Sequence, residues 1–248
     1  MESDELIRRA EDLAARCERS GRMTATAFLT PAERAALERW FRRRADVKPV
    51  FFGGHPDCER TMAFFLPDWL EPEDADFSEA LCAIRLQAHF GEPNHRDYLG
   101  ALIGMGVERS RLGDIWVEGD TATVFCTSAL RAHLLRIERV GRVAVTASEL
   151  PPDKLRAPER RVETLRFTVM SPRLDAVTAG MFRLSRSEAA RRIALGAVSL
   201  NYAETDKPDA PVREGDVISL RGAGKGSVRS FGGSSRKGRL FVEAELCQ

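Results

Sequence analysis

A chain of 248 residues with a formal net charge of +1 is long enough for two or three domains, each burying a core, and is not a polycation overall. Its five cysteines are scattered without any Cys-x-x-Cys spacing, which reads as a reducing compartment, and its four histidines form no zinc-type cluster, so neither a metal nor a cofactor is expected. The charged N-terminus lacks the apolar core of a signal peptide and no run approaches the roughly 20 apolar residues of a membrane span, so the expectation is a cytoplasmic protein with no membrane partner.

Residues 1–74 read as a helical and hairpin region. Leu6, Leu13 and neighbouring alanines give a first helix its apolar side. Thr30-Pro31-Ala32-Glu33 opens a second with a cap residue, a proline in the first turn and a glutamate at the third position, and Leu37, Trp40 and Phe41 give it a face to bury. Arg42-Arg43-Arg44 closes that helix, where positive charge either complements the dipole or meets RNA. Residues 50–52 and 61–66 read as strands around Gly53-Gly54-His55-Pro56, in which the glycines serve a tight turn or a close backbone approach to RNA. Between Asp68 and Glu79 acids accumulate without a base, the pattern of a solvated connector.

Residues 75–155 change to strand, helix, strand, strand, helix, strand: 81–86, a helix from an Asn94 cap through Leu102, 114–117, 121–126, a helix after Ser128 through Ile137, and 143–147. That order predicts an RRM-like (ferredoxin-like) sandwich. RRMs that stack bases do so on aromatic strand residues, and candidates such as Phe125 are few in these strands, so base stacking is not expected on this sheet. At the first helix, Asn94 caps and Asp97 favours the dipole, while His95 and Arg96, together with Gly53 and Gly54, form a second candidate RNA or partner site. Pro151, Pro152 and Pro158 mark a linker.

Residues 168–248 place Arg173, Arg186, Arg191 and Arg192 on two short helices followed by a two-stranded hairpin. Ser185 and Glu188 spell a Ser-x-x-Glu capping box, and Gly196 suits the left-handed C-terminal position. Ala189 and Ile193 face inward, leaving the arginines where guanidinium and backbone N–H groups both meet phosphate. Val198 and Leu200 alternate as a strand, and Glu214-Gly215-Asp216 turns into a second strand, 217–220. A basic patch follows: Arg221, Lys225, Arg229, Arg236, Lys237 and Arg239, with no acid from 219 to 240.

Arg173-Leu174-Asp175, Ser185-Arg186-Ser187-Glu188-Ala189, Arg192-Ile193, Gly196, Val198, Asn201 and Gly215-Asp216-Val217 stand in the order and spacing of the S4 RNA-binding domain, which this stretch resembles. Ala197 and Tyr202 depart from it, standing where that family often has a basic residue and a glycine. Upstream, Phe28-Leu29-Thr30-Pro31-x-Glu33, Phe51-Phe52-Gly53-Gly54-x-Pro56 with Glu59-Arg60, His95-Arg96-Asp97-Tyr98-Leu99-Gly100-Ala101-Leu102 and Gly113-Asp114-Ile115 extend the resemblance to the YlmH-type family of bacterial S4-domain proteins. Arg221-Gly222-x-Gly224 belongs to the same set. The resemblance implies an α+β chain with an N-terminal helical and hairpin region, an RRM-like middle domain and a C-terminal S4 domain. It implies a non-enzymatic protein that binds structured RNA, rRNA and tRNA on the large ribosomal subunit, with a role in rescue of stalled peptidyl-tRNA and no DNA partner. The expected RNA-binding residues are Arg173, Ser185, Arg186, Ser187, Arg191, Arg192 and Asn201, extended electrostatically by Lys225, Arg229, Arg236, Lys237 and Arg239.

One alternative is an enzyme. Arg173-Leu174-Asp175-x-x-Thr178-x-Gly180 is similar to the segment around the catalytic aspartate of one pseudouridine synthase class, which would make the chain an RNA-modifying enzyme with Asp175 or Asp97 as its carboxylate. The catalytic domain of such an enzyme lies mostly downstream of that aspartate, and the residues after Asp175 are taken by the S4-like pattern. Asp175 therefore reads as a helix N-terminal residue, placed for the dipole or for a salt bridge to a nearby arginine. A protein-interaction scaffold built on the N-terminal helices is compatible with RNA binding.

Overall fold

In the computed structural model, which describes residues 3–44, 47–158, 162–234 and 238–247, the chain is α+β and divides into two units, residues 1–158 and 159–248. The first begins with α1 (Ser3–Ser20), β1 (Thr24–Ala25), α2 (Pro31–Phe41), β2 (Val50–Phe52) and β3 (Met62–Phe65). Leu6, Ala10 and Cys17 recur at helical spacing on α1 and pack against Leu37 and Phe41 of α2. The predicted cap of α2 is complete: Glu33 N donates to Thr30 Oγ1 at 3.2 Å and Thr30 N donates to Glu33 Oε2 at 2.8 Å. In the antiparallel sheet β1-β3-β2 the central β3 is buried on both sides. Ala63 and Phe65 face the helices, and Met62 and Phe64 enter the next core.

That next core belongs to β4 (Leu81–Ala88), α3 (His95–Gly104), β5 (Leu112–Glu118), β6 (Thr121–Thr127), α4 (Arg131–Leu134), β7 (Arg139–Val140) and β8 (Val143–Leu150). The strands run antiparallel in the order β5-β6-β4-β8-β7. One face, with Ile84, Leu86 and Val124, packs on Tyr98 and Leu102 of α3 and on Leu130 and Leu134. The helix expected through Ile137 is instead a 3-10 turn, Ser128–Leu130, and the short α4. Bonds of i to i−3 spacing, from Arg136 N and Ile137 N to His133 O and Leu134 O, tighten the chain after it and carry Ile137 back to the core.

The opposite face of this sheet is not open to solvent at its centre. Leu81, Ala83, Phe125 and Leu150 are covered by Phe28, Met62 and Phe64 from the N-terminal region and by Leu155. Phe125 is fully buried, with Trp116 edge-on at 4.7 Å. Gly54, at φ +103°, lies so close that a Cβ there would sit 2.5 Å from the Phe125 ring. Polar stitches join the same two layers. The Glu59 and Arg60 N–H groups donate to the Asp114 carboxylate at 2.7 and 3.0 Å, and the Arg60 guanidinium donates to the carbonyls of Leu112 at 3.0 Å and Phe28 at 3.2 Å. The hydrophobic core thus runs continuously across residue 74.

The second unit comprises β9 (Val162–Val169), α5 (Leu174–Met181), α6 (Arg186–Ala194), β10 (Val198–Leu200), β11 (Ala203–Glu204), β12 (Val217–Leu220), β13 (Gly224–Ser234) and β14 (Leu240–Cys247). All are antiparallel, in the order β11-β10-β12-β13-β14-β9, a six-stranded sheet where the sequence suggested a hairpin. Leu174, Val177, Met181 and Ile193 of the helices pack on Val198, Ile218, Val228 and Val242, so α5 and α6 cover one face of it. No described helix is long and apolar enough to cross a membrane.

Candidate RNA interface

The loop before β12 fixes where α5 begins. Leu174 N donates to Ala210 O at 2.9 Å, Asp175 N to Pro208 O at 2.8 Å, and Val212 N to Pro172 O at 2.8 Å. These bonds occupy N–H groups that a helix start would otherwise offer to an anion. The exposed cationic groups here are instead side chains. The Asp175 carboxylate, only 7% exposed, accepts from Arg173 (3.2 and 3.3 Å) and from Arg186 of α6 (3.0 and 3.4 Å). Burial pushes the Asp175 pKa up, but the hydrogen bonds and charges of both guanidiniums outweigh it, and the carboxyl lies below its usual range. The same pairing raises the pKa of Arg173.

A second carboxylate does the same on α6. Ser185 Oγ accepts from Glu188 N at 3.1 Å, as the capping pattern predicts. The reciprocal half does not form, because the Glu188 side chain turns outward. It accepts from Arg191 at 2.9 and 3.0 Å and from Arg192 at 2.8 Å, and these bonds pull its pKa down to about 2. Two carboxylates therefore hold four arginines, whose side chains stay 36–64% exposed, and leave a surplus of positive charge on the α5–α6 layer. Ser185 and Ser187 are exposed beside them, their hydroxyls 3.1 Å apart.

The end of α6 is a Schellman motif: Ala197 N donates to Arg192 O, Gly196 N donates to Ile193 O, and Gly196 takes φ +66°. Asn201 and Tyr202 then form the two-residue loop between β10 and β11, both at positive φ (50° and 64°). Type I′ hairpins need that sign at both positions and favour Asn-Gly, and Tyr202 adopts this conformation despite its side chain. The Asn201 amide is engaged at both ends, donating to Asp216 at 2.8 Å and accepting from Val217 N at 2.9 Å. Lys225 Nζ lies 5.9 Å from the centre of the Tyr202 ring.

Lys225, Arg229 and Arg239, the described cations of the expected extension, lie on the other face of the sheet. Gly226 faces Met181 and Val228 is buried, so the alternation of β13 turns Lys225 away from the helices. Arg229 stands at a register shift and pairs with Glu245 of β14. Arg239 donates to Thr168 O at 2.7 Å and Thr168 Oγ1 at 3.0 Å. Arg236 and Lys237 lie outside the described residues. The structure brings Arg173, Ser185, Arg186, Ser187, Arg191 and Arg192 together and does not join Lys225, Arg229 and Arg239 to them.

At the second candidate site, the α3 cap forms as expected: Asn94 Oδ1 accepts from Arg96 N at 2.8 Å, and Asp97 accepts from Asn94 N at 2.8 Å. Burial, reinforced by nearby Arg109 and opposed by Asp114, lowers the pKa of the His95 imidazole and so favours its neutral form. Gly53 is buried, and the close approach made at Gly54 is to Phe125 of the same unit. Among the described residues no group of three His, Cys, Asp or Glu is placed to hold a metal ion.

Residues 2–68 match the family model described as "YlmH, N-terminal", and residues 72–154 match "Putative RNA-binding domain in YlmH". The chain is also 35% identical over 226 residues to the Bacillus subtilis (strain 168) "Ribosome-associated protein quality control protein P2", an alignment covering 90% of this chain and 87% of that protein. The chain belongs to the YlmH family. A solved structure, "Cell division protein ylmH from Streptococcus pneumoniae", shares the fold with a TM-score of 0.50 at 19% identity, over 61% of this chain and 92% of that one.

In this YlmH-family chain the residue that sequence reasoning undervalued is Glu188, read only as half of a cap. Its spacing held the signal, since arginines three and four residues on lie on the same helical face. The salt bridge expected of Asp175 forms, but with two arginines from successive helices, a convergence that linear spacing does not display.

Proposed function

We propose that this protein is a cytoplasmic, non-enzymatic RNA-binding protein that acts on the large ribosomal subunit, gripping structured rRNA and tRNA, with a role in rescue of stalled peptidyl-tRNA. The second unit is read as an S4 domain, its α5–α6 arginine layer as the main contact surface, and the four long strands of the middle sheet as an RRM-like domain. The observation that carries the reading is the pair of carboxylates, Asp175 and Glu188, that hold four exposed guanidiniums in order. Ordered guanidiniums fit the phosphates of an A-form helix, recognised by shape rather than by base sequence. The name of the Bacillus relative supports the ribosome as the place of action, and the description of the family model over residues 72–154 supports RNA as the ligand. The antiparallel order β5-β6-β4-β8 supports the RRM-like reading, because a ferredoxin-like chain places its first strand between its third and fourth. Against the RNA-modifying alternative stands Asp175 itself, a buried carboxylate already bonded to two arginines.

Ultraviolet crosslinking in cells, with sequencing of the attached RNA, tests the proposal. Arg186→Glu is the control, and the expected peaks lie on large-subunit rRNA and tRNA and depend on Arg186. In vitro the same variant weakens binding broadly and flattens the fall of log K with log salt. Peaks confined to other RNAs, or a folded Arg186→Glu protein with unchanged crosslinks, would overturn the ribosomal reading.

A further inference from the structure

We propose that the outward face of the β13-β14-β9 sheet is a second RNA surface, specific for unpaired nucleotides, on which the Phe241 ring stacks a base while Arg166 and Arg239 meet the adjoining phosphates. It rests on the reading that the chain binds RNA and adds to it a different RNA form on the side of the sheet opposite the helix arginines.

The faces are fixed by alternation. Leu165, Phe167, Val169, Leu240, Val242, Ala244 and Leu246 belong to the core under the helices, so Arg166, Thr168, Phe241 and Glu243 project the other way. Phe241 is 49% exposed and pairs across the ladder with Thr168, and the neighbouring Gly232 adds no side chain beside the ring. A shallow concavity of about 430 Å³ lies there, lined by Arg166, Thr168, Ser230, Gly232 and Phe241 among others. Both flanking cations are anchored: Arg166 to Glu243 at 3.1 Å and Arg239 to Thr168 at 2.7 and 3.0 Å.

Charge selects the occupant. Lys225, Arg229, Arg166 and Arg239 share this face with Glu243 and Glu245, leaving a positive surplus that suits a polyanion. An exposed ring between cations suits an exposed base, which a duplex keeps inside its stack and a single strand presents. Phe125 of the middle sheet does not offer this option, because it is sealed under the N-terminal region.

The test compares a fluorescent oligouridylate of about ten nucleotides with a fluorescent RNA hairpin, by anisotropy, using the full chain. Stacking of one base on an aromatic side chain predicts that Phe241→Ala weakens oligouridylate binding on the order of ten-fold and that Phe241→Trp retains it. Arg186→Glu instead weakens the hairpin. Equal oligouridylate binding by wild type and Phe241→Ala overturns the proposal, as does equal loss in the alanine and tryptophan variants with circular dichroism unchanged. Sedimentation supplies a further check: a wild-type dimer that Phe241→Ala converts to monomer would mean that a second copy covers this face, and the proposal falls. Hairpin binding that ignores Arg186→Glu would instead sink the helix-layer reading and leave the oligouridylate result to stand alone.

Discussion

Asp175→Asn separates two explanations of how the arginine layer works, because they predict opposite signs. The substitution adds one unit of positive charge next to Arg173 and Arg186, so a surface acting through net charge alone would bind RNA more tightly. A surface acting through ordered guanidiniums would bind less tightly. Four guanidinium N–H contacts of 3.0–3.4 Å end on this carboxylate, beside the Ala176 backbone N–H at 2.8 Å. An exposed ion pair contributes about 0–1 kcal/mol and breaking a buried one costs about 3–5 kcal/mol. Here the carboxylate is 7% exposed while its partners are 41% and 54% exposed and rehydrate when released, which places the stability loss at about 2 kcal/mol. Re-ordering two freed side chains on binding costs about 0.5–1.5 kcal/mol each, so affinity falls on the order of ten-fold. The acid side checks the same carboxylate. Its folded-state pKa is depressed, so its stabilisation is full above the unfolded value of about 3.9 and is lost as pH falls through the folded value. Urea denaturation of wild type and variant should differ by the full amount at pH 7 and converge only as pH falls through the depressed folded value. Hairpin binding by anisotropy at two salt concentrations completes the experiment. Equal urea midpoints together with tighter RNA binding would refute the ordering argument.

Gly54→Ala forces a methyl group against the Phe125 ring at a positive φ, and should destabilise the first unit by about 2–3 kcal/mol in urea denaturation, while leaving α5 and α6 intact. Asn201→Ala removes both side-chain bonds that tie the β10–β11 loop to Asp216 and Val217 and puts alanine at φ +50°; it should cost about 2 kcal/mol, of which Asn201→Gly recovers only the backbone part.

Local chemistry made much of the chain legible. The caps at Thr30 and Asn94, the left-handed Gly196 and the alternating strands of the middle domain each depend on a few neighbouring residues, and the structure forms them as expected. The strands beyond β12 were hidden for a physical reason. Gly224, Gly226, Gly232 and Gly233 interrupt the alternation of β13, and without a recognisable β13 nothing announces β14 or its pairing with β9 across the rest of the unit. Lys225, Arg229 and Arg239 consequently read as an extension of the helix surface, whereas the sheet carries them on its other face. The site followed the same rule. Serines and arginines of α6 were visible from their spacing, whereas the convergence of Arg173 and Arg186 on Asp175 needs two helices to turn toward one another.

The covering of Phe125 by the N-terminal hairpin has a consequence for heredity as well as for experiment. Two matched segments of the one family meet near residue 70, yet the layer beneath them is shared, with Phe28, Met62 and Phe64 from one segment lying on Leu81, Ala83 and Leu150 from the other. A gene rearrangement that moved residues 72–154 elsewhere would carry off a sheet with a bare greasy back, prone to clump with its copies. A fragment cut at that border therefore exposes, on each side, the apolar surface that the intact chain buries.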